Sequence, residues 1–456
     1  MLITSQRRKQ RGQTIALVAV SLVAILAMAV LAIDVVTLYV AREDAQRAAD
    51  AAALAGAKAL VDSGLTSESC TSGTFSITSG NAQTAATQQA TAVAQQNLIA
   101  GQPAQLAAAP VYANVTCPSI NPQITVQIQS TNVPTFFARI WSRGAVAVSA
   151  TATAEGYNPS HASSVAGGAA RFAPRCPKPM MFPNCDPVAG HTGGASTVCS
   201  GYKTFVDPTS GAISNPGLAP TGTVGEVIHF SSGCDPATPG SCTPLAPTPS
   251  SPPPQLQYYP IQLASGTHTC QSCGSSLSGF SQDVGCCNST PLQCGATVSI
   301  DSSVFPDGNG NAGQVGGQCM VHEPSPASYI SDCQPGGSGN NQQDCIDSLT
   351  SLPSNQLPFR MFAGTKNPAI PSGIAAGDQI TTSDSLATFP IYDNGVAAPP
   401  SGSLPIVGFL QIFINDVDDN GNFTGTIVNV AGCDTSLTGT PLQGAGNMLP
   451  VRLIHQ

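Results

Sequence analysis

The densest set of metal-capable side chains lies in the second half of the chain. Cys270 and Cys273 are spaced C-x-x-C, Cys286 and Cys287 are adjacent, Cys294 follows, and His268 stands beside them. A C-x-x-C pair is a common zinc half-site. Adjacent cysteines fit a tetrahedral half-site poorly, however, and an oxidising compartment would turn the same residues into disulfides. Disulfides are therefore expected at Cys270, Cys273, Cys286 and Cys287, with zinc as the competing reading. A second pattern, Asp416-x-Asp418-x-Asn420-Gly421, has oxygen ligands at positions one, three and five of a calcium loop and glycine at six. Its twelfth position is Ile427, where a bidentate Glu belongs. A hairpin turn rich in Asp and Asn accounts for the same residues, so a turn is expected and calcium is the alternative.

Other strings fail on context. Gly308, Gly310 and Gly313 spell G-x-G-x-x-G, but Gly316 and Gly317 stand where the following helix should begin, which predicts a loop and no dinucleotide site. His322-Glu323 opens like a zinc-protease helix, yet Pro324 follows and Pro326 replaces the second histidine. Neither a G-x-S-x-G elbow nor a phosphate-binding G-x-x-x-x-G-K-[ST] string occurs. No catalytic residue, cofactor or nucleotide is expected.

The elements that carry these residues begin with an address. Thr14 to Ile33 is an uncharged run of 20 residues. As a helix at about 1.5 Å per residue it covers about 30 Å, a bilayer core. Arg7, Arg8, Lys9 and Arg11 precede it and no acid occurs before Asp34, so the positive-inside bias keeps residues 1–13 cytoplasmic and sends the bulk across the inner-membrane bilayer. The rival is a cleaved signal peptide with Ala27-Met28-Ala29 as its site; the apolar, helix-forming run continues past it. Only 9% of residues are charged and the formal net charge is −9, with the excess acid after the span, which excludes nucleic acid as a partner. The 16 cysteines agree with export: Cys70 and Cys117 stand apart, and 14 fall between Cys176 and Cys433. Even groups read as two local disulfide sets.

Helical sequence continues beyond the span as DVVTLYVAREDAQRAADAAALAGAKAL, free of proline and rich in alanine. Ala82, Ala85, Ala86, Ala90, Val93, Ala94 and Leu98 recur as the apolar face of a second helix, ended by Gly101 and Pro103. Val111, Ala113 and Val115 share one face of a strand; Ile124, Val126 and Ile128 share one face of the next, with PSINP between them as a hairpin turn. VPTFFARIW reads as a short amphipathic helix before a third alternating run, AVAVSATATAE. Beyond Tyr157 Gly, Pro, Ser and Asn rise, and TPLAPTPSSPPP (243–254) reads as a linker. Strands return at PIVGFLQIFI and FTGTIVNV, flanking DDNGN as a hairpin. The first is apolar on both faces and should be buried on both.

The N-terminus resembles a known family. Arg11-Gly12-Gln13 leads into the span, Ile33-Asp34 leaves it, and an Ala-rich stretch from Ala48 to Ala57, with Asp50, Leu54 and Gly56, follows, as in the Tad/Flp pilus-assembly TadG-like (TadE/TadG-like) proteins. FFARIW and VAVSATATAE resemble the end of that module. The resemblance is specific over about residues 7–60 and weak beyond 156. It implies a bacterial envelope protein working with other pilus-assembly proteins. Two departures stand out. Prepilin peptidase substrates place Glu five residues after the cleaved glycine, and Leu17 stands five after Gly12. The D-x-S-x-S metal motif of related von Willebrand A domains is not matched by Asp301-Ser302-Ser303-Val304-Phe305.

The expected fold is α+β: a cytoplasmic basic segment (1–13), a transmembrane helix (14–33), a pilin-like helix-plus-antiparallel-sheet module (34–157), a disulfide-rich exported region (158–404) and a C-terminal β-hairpin region (405–456). The expected function is a non-enzymatic, membrane-anchored envelope protein supporting pilus biogenesis, adhesion or attachment. The alternative is an anchored adhesive module that pilus assembly does not require.

Overall fold

The computed structural model describes residues 3–64, 66, 74–75, 81–113, 115–116, 121–135, 146–158, 172–188, 202–219, 222–234, 254–270, 277–304, 312–322, 343–346, 359–368, 374–380, 382–393, 403–433, 442–444, 449 and 451–454. VPTFFARIW after Thr135, the 243–253 part of the proline-rich stretch, Cys70, Cys117 and Cys273 lie outside them.

Helix α1, Ile3–Asp62, runs unbroken through 60 residues, about 90 Å. No proline interrupts it, and alanine dominates wherever it packs. Its first half is bare: Leu17, Val23, Leu26 and Met28 are exposed. The stretch is long and apolar enough to cross a membrane. Its second half is buried along one stripe, Ala41, Ala45, Ala48, Ala52, Ala53 and Ala57. Spacings of three, four and seven put these methyls on one face, and their small size lets neighbours come close. Against them lie helix α2 (Asn81–Gln96) and an antiparallel sheet of β1 (Gln105–Leu106), β2 (Val111–Tyr112), β3 (Gln123–Val133) and β4 (Val146–Gly156). Ile124, Val126 and Ile128 of β3 are buried in this core as their alternation requires.

Two details differ from the periodicity. Helix α2 stops at Gln96, where Asn97 Nδ2 donates to Val93 O at 2.7 Å. Leu98 then leaves the helix for a tight turn through Ala100 and Gly101, both at positive φ, and is exposed. The run 111–115 is also split, because β2 pairs with β3 whereas Val115–Thr116 pairs with Thr74–Phe75. Two partners on different sides pull a short alternating run apart.

The remaining chain is mainly β. Strands β5 (Met180–Pro183), β6 (Val227–Ser232), β7 (Gln255–Pro260), β8 (Leu386–Tyr392), β9 (Ser403–Val417) and β10 (Phe423–Gly432) pair in the ring β9–β8–β5–β7–β6–β10. The pairing of β10 back to β9 closes it into a barrel. Its β5–β8 and β6–β7 contacts are parallel and the others antiparallel. Closure removes sheet edges, and so suits a chain with few charges to protect them. Aromatic rings fill the inside: Phe230 stacks on Phe423 at 5.0 Å and meets Phe182 edge-on at 5.1 Å.

The β9–β10 hairpin forms across DDNGN as expected. Leu410, Ile412 and Ile414 point into the barrel, while Phe409 and Phe413 join two separate cores on its outer side. Both faces are therefore buried, which is why this strand is continuously apolar. Helices α3 (Phe280–Gly285) and α4 (Ala312–Met320) cap the barrel. Helix α4 occupies the place where a loop was expected. Its glycines are packing residues: a Cβ on Gly316 would lie 2.5 Å from Ser281 O, and one on Gly317 would lie 2.6 Å from the Phe423 ring.

The chain finally returns to its start. Strand β11, Val451–Ile454, pairs antiparallel with β4 (Val451 with Gly156, Ile454 with Thr153). The division at 405 is thus crossed by the last strand, which completes the N-terminal sheet. A short segment with intermediate burial throughout carries no sign of a distant partner.

Candidate functional site

Three places bring polar side chains together. The first is the joint between α1 and the barrel. Helix α1 ends in a turn in which Gly64, at φ 84°, donates its N–H to Val61 O at 3.0 Å and Ser63 Oγ donates to Leu60 O. Lys58 pairs with the buried Asp62 one turn later. Asn429 of β10, fully buried, donates from Nδ2 to Val61 O at 3.1 Å and to Gln411 Oε1 of β9 at 2.6 Å. Asn158, just after β4 and also fully buried, donates to Val430 O at 2.7 Å. Val61 itself sits in the outer core with Tyr259, Phe409 and Ala431. Arg452 of β11 pairs with Glu155 of β4 at 2.6 Å and lies over the Tyr157 ring. Helix, small sheet and barrel thus meet at one buried polar knot, in which Asn429 of β10 binds the end of α1 and Gln411 of β9, and Asn158 after β4 binds β10.

The second place is the cysteine cluster. Cys270 is bonded to Cys286, Cys287 to Cys176, and Cys294 to Cys433. Thiolates needed for zinc are consumed in disulfides, and among the described residues no cysteine is free. His268, the histidine among the zinc candidates, meets Asp283 at 2.7 Å. Lys178 is buried, with its Nζ donating to Cys286 O at 3.1 Å. Burial brings its pKa down to about 8, opposed by the charges of Asp384 and Asp283.

The third place is a pair of buried carboxyls at one end of the barrel, Asp186 after β5 and Glu226 before β6. Burial, then the adjacent Asp186 charge, push the Glu226 carboxyl up to about 10.

The remaining sequence candidates fall into local structure. Asp416 lies on β9 opposite Thr424. Asp418 Oδ1 accepts the N–H groups of Asn420 and Asn422, both at 2.8 Å, and its Oδ2 accepts Asn422 Nδ2. This carboxylate is engaged by its own turn. Asp301 closes a similar turn with Ser303. His322 lies 3.2 Å from Asp384. Gly313 opens α4 as a buried packing residue.

Among the residues of the N-terminal motif, Arg11, Gly12 and Gln13 lie on α1 before the exposed apolar stretch. Ile33 is exposed, Asp34 is buried, and Asp50 accepts a hydrogen bond from Gln46 at 2.8 Å. Leu54 packs on the alanine core. Gly56 lets α1 pass close to both sheet and α2: a Cβ there would meet Ile124 Cδ1 at 2.5 Å and Ala86 O at 3.3 Å.

Asn429, Asn158, Lys178, Glu226 and Asp186 were not singled out by sequence reasoning. Glu226 precedes the strand VIHFSS and Lys178 precedes Pro-Met-Met-Phe, so scarce charges beside apolar runs were the available signal. No curated protein and no solved structure matches the chain. The family model for Flp pilus-assembly TadE/G-like proteins matches residues 12–59, the apolar stretch of α1 and most of its alanine-packed half, so the similarity to that family lies on this helix.

Proposed function

We propose that the chain is a non-enzymatic envelope protein of Tad/Flp pilus assembly. It is anchored by α1 with residues 1–13 in the cytoplasm, and holds a disulfide-braced barrel on the far side of the membrane, where it supports pilus biogenesis. The observation that carries this reading is the match of residues 12–59 to the pilus-assembly model on a helix that continues without a break from the lipid-length stretch into the packed stalk. The four basic residues ahead of the span support the orientation. The disulfides support an oxidising compartment for the barrel. A helix-on-sheet N-terminal module is the plan of pilin-like proteins, in which a lipid-embedded helix serves assembly and the appended domain faces outward.

The buried knot at Asn429 and Asn158 makes the barrel follow the helix. A partner that pulls on, or packs against, the membrane helix would reposition the barrel with it. The test is deletion of the gene followed by electron microscopy of pili and a surface-attachment assay, each repeated after complementation with the full chain. Loss of pili, restored by the chain, is the expected result. Intact pili with lost attachment would favour an anchored adhesive module instead.

A further inference from the structure

The outward surface of α1 does not change character where the uncharged run ends. Asp34, the first charge after that run, is only 4% exposed and shares a face with Leu38 and Ala41, which pack on the alanine core at spacings of four and three. The charge that ends the run in the sequence thus lies on the packed side. The opposite side stays apolar for two more turns: Ile33, Val35, Val36, Tyr39 and Val40 are all exposed, Val36 at 61% and Tyr39 at 66%. Polar side chains take over there only from Arg42, with Glu43, Gln46 and Arg47 following. Beyond Val40, the exposed large apolar side chains among the described residues are Leu98, Val111, Val188 and Val315, widely spaced in the chain. Scattered apolar residues are ordinary on a wetted surface, whereas five within eight residues are not.

We propose that this face, from Ile33 to Val40, is a lipid-contact surface in the far leaflet of the bilayer, with Tyr39 and Arg42 at the headgroups. The N-terminal module then stands partly sunk in the membrane rather than clear of it on a stalk. The inference rests on α1 being the membrane anchor. The patch is continuous with the lipid-length stretch on the same helix. Thr14 to Val40 is 27 residues, about 40 Å, which exceeds a hydrocarbon core of about 30 Å but matches the about 40–45 Å that includes the headgroup layers. A tyrosine followed by an arginine suits that boundary, since ring and stem stay in hydrocarbon while phenol and guanidinium reach the headgroups. Hydroxyls along the way are satisfied within the helix: Ser21 Oγ donates to Val18 O at 3.0 Å and Thr37 Oγ1 to Ile33 O at 2.9 Å, as hydrocarbon demands. The sheet descends beside the helix. Gly156 abuts Val61 and Thr151 O accepts from Gln46 Nε2 at 3.4 Å, so Val146, paired with Val133, lies up to about 17 Å nearer the membrane than Thr151.

The test is tryptophan fluorescence of the full chain in vesicles of phosphatidylcholine and phosphatidylglycerol, with lipid brominated at mid-chain or near the carbonyls, and with aqueous iodide as the opposing quencher. Trp141 is the single tryptophan, so Leu26→Trp, Val36→Trp, Val40→Trp and Arg47→Trp are each made in Trp141→Phe. All four positions are exposed, and a larger ring there meets no core. Where Trp141→Phe does not fold, the same four are made in the wild type and its own signal is subtracted. Leu26→Trp should lose most of its emission to mid-chain bromine. Val36→Trp and Val40→Trp should lose most of theirs to bromine near the carbonyls and little to iodide, and Arg47→Trp should be quenched by iodide alone. Iodide quenching at 36 and 40 equal to that at 47, with Leu26→Trp still quenched by lipid, would overturn the lipid-contact surface and leave the anchor standing. Positions 36 and 40 shielded from both quenchers would overturn it too, because a second copy or another protein then covers the face. Loss of lipid quenching at Leu26→Trp would instead sink the anchor itself.

Discussion

Replacing Asn429 with alanine tests whether the membrane helix and the barrel form one body. Asn429 is fully buried and its amide donates to Val61 O at 3.1 Å and to Gln411 Oε1 at 2.6 Å. Val61 O keeps a second donor, Gly64 N–H, so the alanine variant leaves that carbonyl partly satisfied. Gln411 Oε1 loses the amide in a residue only 3% exposed. Losing a buried hydrogen-bond partner costs about 1–3 kcal/mol, and the lost second bond and small cavity add about 1 kcal/mol, for a total of about 2–4 kcal/mol. The loss falls on the junction, so the assay must be local. Lys58, in the last turns of α1, is a trypsin site that is cut only when that end opens. If cleavage follows the open population, 2–4 kcal/mol raises its rate about thirtyfold to several hundredfold at about 1.36 kcal/mol per decade. Asn429→Asp should be worse, because it sets a carboxylate against two acceptor oxygens. Cleavage of Asn429→Ala at Lys58 within about threefold of the wild type would refute the reasoning, since that is under 1 kcal/mol.

Other outcomes follow from the same structure. Lys178, with a folded pKa of about 8 against its ordinary 10.5, is the less protonated in the folded state between those values, so it destabilises most below pH 8 and ever less as pH rises to 10.5. The stability advantage of Lys178→Met should therefore shrink by about 3 kcal/mol across that window; denaturant curves that stay parallel would contradict it. Ile412, fully buried inside the barrel, should tolerate valine at a cost of about 0.5–1.5 kcal/mol, whereas Ile412→Asp should cost several and expose the barrel to protease. Unchanged protease resistance in Ile412→Asp would be the contrary result. Thr74–Phe75 and Val115–Thr116 pair antiparallel, Thr74 opposite Thr116, four residues after Cys70 and one before Cys117. Non-reducing peptide mapping should recover Cys70 joined to Cys117, and a bridge from either into 176–433 would be the contrary finding.

What was legible in the sequence follows from how local its cause is. The helix from the span through Leu60, the alternation of β3 and the β9–β10 hairpin all rest on spacings within one segment, and they appear where the spacing puts them. The disulfide state of Cys270, Cys286 and Cys287 followed from compartment, but their partners did not. Cys176 reaches Cys287 across 111 residues, and no local pattern encodes that closure. Barrel closure was hidden for the same reason, since β5, β6 and β7 are short and the ring needs parallel contacts between distant segments. Helix α4 was misread because glycines at 316 and 317 weaken intrinsic helix propensity; tertiary contact with Ser281 and Phe423 overrides it. The knot at Asn429 was illegible because an asparagine inside a strand looks like any surface polar residue until its neighbours are known.

The account rests most heavily on the barrel standing outside the membrane with α1 as its anchor, and protease added to spheroplasts measures this directly. The barrel should be reached from outside, with its cysteines oxidised, while the basic segment carrying Arg7, Arg8, Lys9 and Arg11 stays protected and α1 stays with the membrane after alkaline extraction. A barrel protected until the membrane is opened, with free thiols at Cys270 and Cys286, would contradict the account.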